Sequence, residues 1–135
     1  MGQKINLFID QWAGVEFIWG KTDCAMMVLR FLDYTHDWEL TEQFEDCYGN
    51  EKQAREFSTF ATSTRQLLKE LEFEDVARGF EKEGDILLSS SETGLYHSYI
   101  DFGDKVFSTH PKYGARLFPK RVITKNYEVL RCPLK

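Results

Sequence analysis

The stretch WGKTDCAMMVLRFLDYTHDW, Trp19 to Trp38, runs a short polar turn straight into a cysteine and then an apolar segment. Thr22 or Asp23 can cap a helix, because an oxygen there accepts from backbone N–H groups that the first turn leaves unpaired. Ala25, Val28, Leu29 and Leu32 recur on one face and carry that helix to about Tyr34. Cys24 therefore falls in the first turn, and two readings follow. Free cysteine is among the most buried residue types, so Cys24 reads as a small apolar core residue. Alternatively, the unpaired N–H groups and partial positive charge of a helix N-terminus stabilise a thiolate, and Cys24 reads as a nucleophile.

Upstream, Ile5, Phe8, Ile9 and Trp12 predict a short amphipathic helix over residues 3–13, ended by Gly14. Downstream, Thr41 to Cys47 reads as another helical turn. Asn50 to Thr59 reads as a helix through Ala54, Phe57 and Phe60, and Ser63 or Thr64 opens a helix carrying Leu67, Leu68 and Leu71. The pattern changes at Gly84. Asp85 to Leu88 reads as a strand, Ser89 to Gly94 as a loop, and Tyr96 to Phe102 with Lys105 to Thr109 as a hairpin about Gly103-Asp104. Arg116 to Phe118 and Tyr127 to Cys132 read as further strands, and Glu70 to Asp75 as a solvated acidic edge. Helices first and a small antiparallel sheet after predict an α+β fold, one domain over residues 1–135 with N-terminal helices packed on the sheet.

With 135 residues, 42% hydrophobic and 29% charged, the chain is globular rather than disordered. Its net charge of −5 argues against a dedicated nucleic-acid binder, which carries a basic face. Cys24, Cys47 and Cys132 lack C-x-x-C spacing, so neither a disulfide framework nor a metal site is expected, and no cofactor is called for. A reducing compartment fits. The opening MGQKINLFIDQW does not read as a signal peptide, and no window approaches the roughly 20 apolar residues of a membrane span. A cytoplasmic site of synthesis is expected.

A nucleophilic cysteine needs a base, and the histidines are His36, His97 and His110. His97 and His110 lie in the predicted hairpin, which would cross the helix start. A third polar group usually orients such a histidine through its other ring nitrogen, and His110 is the candidate. Blander readings stand beside these. Cys47 and Cys132 read as structural, His36 as a residue at the end of the second helix, and His110, before Pro111, as a loop residue. The aromatic excess reads as core.

The order of motifs resembles the NlpC/P60 superfamily of papain-like cysteine peptidases. The carrying pieces are Phe17-Ile18-Trp19-Gly20, Asp23-Cys24, Gly84-Asp85-Ile86-Leu87-Leu88, His97 to Asp104, and Val106 to His110. The Tyr48-Gly49-Asn50-Glu51-Lys52-Gln53-Ala54-Arg55 element resembles a short phage and prophage branch of that superfamily, whose members are encoded near tail genes. The resemblance implies a papain-like α+β fold, Cys24 as nucleophile and His97 as acid–base. It implies amide hydrolysis in peptidoglycan stem peptides, with tail proteins as partners and a virion tail, periplasm or cell wall as the place of action. Two alternatives stand: a catalytically decayed structural or assembly component of a tail, and a small bacterial amidase or acyltransferase that does not act on walls. Ala25 and Met26 replace the family's Ser-Gly, and Phe17 stands where the family often has tyrosine. The count from His97 puts Thr109 at the third position. A one-residue bulge would bring in His110, which is preferred here with Thr109 in reserve.

Overall fold

The computed structural model describes residues 2–91, 95–123 and 126–133. Helices α1 (Gly2–Trp12), α2 (Cys24–His36), α3 (Thr41–Phe44), α4 (Glu51–Phe60) and α5 (Thr64–Glu70) precede the sheet. Its strands are β1 (Glu74–Val76), β2 (Ile86–Ser90), β3 (Tyr96–Asp101), β4 (Lys105–His110), β5 (Gly114–Pro119) and β6 (Glu128–Arg131). They form one antiparallel sheet in the order β1-β6-β2-β3-β4-β5. The fold is mixed α+β. Among the described residues no helix is long and apolar enough to cross a membrane.

Strand alternation sorts the apolar residues onto two faces. Ile86, Leu88, Ile100, Phe107 and Ala115 face the helices and join Ile5, Phe8 and the buried stripe Met26 to Leu32 of α2. Leu87, Val106 and Val129 face the other way, with Tyr99 and Phe118 beside them under Ile123. β2 is covered on both sides, which is why Ile86, Leu87 and Leu88 form an unbroken apolar run. Phe8 joins the layers: its ring lies edge-on to Phe31 at 5.3 Å and to Phe107 at 6.0 Å. Burial on that scale makes a Phe→Ala change worth about 3–5 kcal/mol.

Several boundaries differ from the sequence reading. α2 runs on to His36 and closes on Asp37, whose left-handed backbone (φ 57°) lets its N–H donate to Asp33 O. The turn expected from Thr41 to Cys47 is helical only over α3. Ser89 and Ser90 belong to β2 rather than to a loop, and residues 92–94 of that expected loop lie outside the described residues. The expected acidic edge holds β1, where Glu74 pairs with Arg131 and Val76 with Val129. The free edge of β5 is covered at Ala115, which accepts from Gly14 N–H and donates to Val15 O.

Candidate functional site

The polar turn before α2 is held by one carboxylate. Asp23 is buried and caps the helix: its Oδ1 accepts from Met26 N–H at 3.1 Å and its Oδ2 from Gly20 N–H at 2.7 Å. The Tyr48 hydroxyl donates to Oδ1 at 3.1 Å, tying the α3–α4 connection to the head of α2. Burial raises the Asp23 pKa, while these donors act in the opposite direction. Gly20 has φ +82°, and a Cβ there would stand 2.1 Å from Tyr48 O, so only glycine fits the turn.

Next along the chain, Cys24 enters the sheet. β3 and β4 pair at Ile100↔Phe107 and Asp101↔Val106, and beyond that the ladder opens, although β4 stays in register with β5 up to His110. Cys24 Sγ occupies the opening. Ser98 N–H donates to it at 3.4 Å, and the thiol donates to Tyr96 O at 3.8 Å. The Ser108 hydroxyl serves Ser98 O at 2.7 Å. Thiol and hydroxyl thus satisfy β3 backbone groups that an unbroken ladder would have paired. Burial, then the neighbouring Asp23 charge, pushes the Cys24 thiol up to about 11, against which the Ser98 N–H works. In this state the thiol is neutral at pH 7. Burial and the capping anion act here against the helix N-terminus.

Cys24, His97, Thr109 and His110 line one cavity of about 250 Å³, walled also by Phe17, Trp19 and Tyr48. A second cavity of about 380 Å³ shares His97, Thr109 and His110 with it. His97 is exposed and pairs with Ser89; alternation sets it with Tyr99 on the face away from the helices. Its backbone lies between the two groups that hold the thiol. Thr109 pairs with Ala115 on the helix side, is buried, and has an Oγ1 without a hydrogen-bond partner. His110 is exposed; its Nδ1 accepts from Lys112 N–H at 3.0 Å and its ring lies 5.0 Å from Tyr113. The β4–β5 pairing contains no bulge, so parity gives Thr109, not His110, the helix-facing position. His36 stacks on Trp38 at the far end of α2. Cys47 is exposed and Cys132 packs against the core. Among the described residues no group of three or more His, Cys, Asp or Glu is placed to hold a metal ion.

Sequence reasoning missed Tyr48 as a cavity residue. Phe17 lacks a hydroxyl, and Tyr48 brings one to Asp23 from another segment; burial and the Asp23 charge raise its pKa and keep it protonated. The motif residue Asp85 is structural: Arg131 grips it through two hydrogen bonds of 3.0 and 2.8 Å.

A mixed α+β domain with a cysteine at a helix head, seated in a split sheet, is the class that fold and site define. The chain belongs to the family described as Domain of unknown function (DUF6950), which it matches over residues 2–129. No curated protein matches it.

Proposed function

We propose that the chain is a cysteine amide hydrolase of the papain-like NlpC/P60 type, acting on peptidoglycan stem peptides. The observation that carries this reading is the seating of Cys24 Sγ at the head of α2, in a cavity that His97 also lines. A neutral thiol favours a route in which the proton leaves as sulfur attacks. His97 takes the thiol proton through the opening between β3 and β4 while Sγ bonds to the amide carbonyl carbon. The oxyanion that forms rests at the Cys24 N–H. The imidazolium then protonates the amine, the C–N bond breaks, and a thioester remains. Water, deprotonated by His97, attacks the thioester; the acid leaves and the thiol is restored. Phage tail proteins would deliver the enzyme to the wall.

A second reading, a structural or assembly part of a tail, is favoured by the thiol's own hydrogen bonds, which lock it to β3. Incubation with purified peptidoglycan and muropeptides, read by mass spectrometry for new amine ends, separates the two. Product from wild type, lost in Cys24→Ala and His97→Ala with the fold intact, supports the hydrolase. No turnover, or equal turnover by Cys24→Ala, leaves the structural reading. Turnover of simple peptide anilides but not of muropeptides would point to an amidase with another substrate.

A further inference from the structure

We propose that the cavity on the sheet face away from the helices is a binding site for an oxyanion, a carboxylate or phosphate carried on an apolar body. The inference goes beyond the Cys24 chemistry and stands whether or not that chemistry operates.

Positive charge is concentrated in the β4–β5 segment. In a chain of net charge −5, the run from Lys105 to Arg121 contains Lys105, Lys112, Arg116, Lys120 and Arg121 and no Asp or Glu. Lys120 is neutralised by Asp101 at 2.7 Å and Glu81 at 3.5 Å. Lys112 and Arg116 are differently placed. Lys112 Nζ lies 5.4 Å from the Tyr113 ring centre, and Arg116 Cζ lies 5.9 Å from each of the Tyr113 and Phe118 ring centres. Neither is in an ion pair among the described residues. Tyr113 and Phe118 line the cavity, so the two cations lie beside residues of its wall.

A second observation is independent of charge. Ser89 and Ser108, on the face away from the helices, line this cavity and bring hydroxyl groups to it. Tyr99 also lines the cavity, and burial keeps its hydroxyl protonated, a donor. Arg116 offers a planar fork that matches an oxyanion. The exposed Tyr113 (51%) and Val122 (44%) give an apolar rim for the body of the ligand.

The test is a titration of the ¹⁵N-labelled full chain with hippurate and with phenyl phosphate, using neutral hippuramide as control. The expected result is saturable shifts in the amides of β3, β4 and β5 around the cavity. Replacing both Lys112→Gln and Arg116→Gln, exposed changes that leave the core intact, should weaken binding about tenfold, as loss of a charge-assisted contact does. Cys24→Ala should bind as wild type does. Tighter hippurate binding assigns a peptide carboxylate, and tighter phenyl phosphate binding assigns a phosphate ester. Equal binding of hippuramide, wild-type affinity in the double variant, or no saturable shift with either anion overturns the proposal.

Discussion

The ionisation of Cys24 yields a quantitative prediction. An ordinary thiol at 9.0 is about one part in a hundred thiolate at pH 7, whereas one pushed up to about 11 is about one part in ten thousand. Thiolate is the species that alkylates, so the rate climbs about tenfold per pH unit until the pKa is passed. Iodoacetamide labelling, followed by peptide mass spectrometry, should show Cys24 still accelerating at pH 10. Exposed Cys47 serves as the internal control. The position of the break, unlike the absolute rate, does not depend on how well reagent enters the cavity. Asp23→Asn removes the second cause of the shift and keeps a capping oxygen, so the break should fall while burial still holds it above 9.0. Stability must follow the same linkage. A thiol whose folded pKa exceeds its unfolded value stabilises the fold fully below 9.0 and loses that contribution as pH rises through about 11. Two units correspond to about 2–3 kcal/mol. The unfolding free energy of wild type from urea titration, relative to Cys24→Ala, should decline by that amount between about pH 8 and about pH 11. A break in Cys24 labelling below about pH 8 would refute the reasoning, and would mean that a cation outweighs burial and the Asp23 charge.

Further substitutions probe the frame. Gly20→Ala should cost about 2–4 kcal/mol from left-handed strain plus collision with Tyr48 O, measured by thermal melting. Gly103→Ala, at φ +88° with nothing within 4 Å of the new Cβ, should cost only about 1 kcal/mol, and equal losses would show that the Tyr48 contact is irrelevant. Arg131→Ala strands the buried Asp85 carboxylate and should cost about 3–5 kcal/mol, with partial recovery on adding Asp85→Asn. A wild-type melting curve for Arg131→Ala would remove the ion pair from the account of β2–β6 pairing. Thr109→Val deletes a hydroxyl without a partner and should leave stability within about 0.5 kcal/mol of wild type. If Thr109 is the third site residue, the same change lowers hydrolysis more than His110→Ala does; the reverse ranking assigns that position to His110.

The legible parts of this fold are those written locally. The helix cap at Thr22 or Asp23, the apolar stripe of α2 and the hairpin about Gly103 each depend on neighbours within a turn or a strand, and the sequence alone predicts them; the structure gives the cap to Asp23. β1 is not legible, because Glu74-Asp75-Val76 becomes a strand only through pairing with Val129 to Arg131, distant in sequence. The ionisation of Cys24 was half legible. The helix-terminus argument considers the dipole, yet the residue that makes the cap, Asp23, is itself an anion beside the thiol. Burial of the thiol by β3 has no signature in the residues around it.

The shared cavity of Cys24 and His97 is the least legible relation, because it turns on parity. Alternation along β3 puts Tyr96 and Ser98 toward the helices and His97 away from them, so across an intact ladder a cysteine at the head of α2 would meet the wrong side of residue 97. The two residues share a cavity because β3 and β4 part just there, and the thiol fills the gap and takes over the backbone groups. The same opening seats the hydrogen-bonded thiol and joins it to the cavity that His97 lines. A carbonyl attacked at Sγ would have to displace the thiol's bond to Tyr96 O. On the proposed hydrolase reading, activation of Cys24 and entry of substrate are one event, so labelling of the resting thiol and turnover of a bound amide are separate measurements.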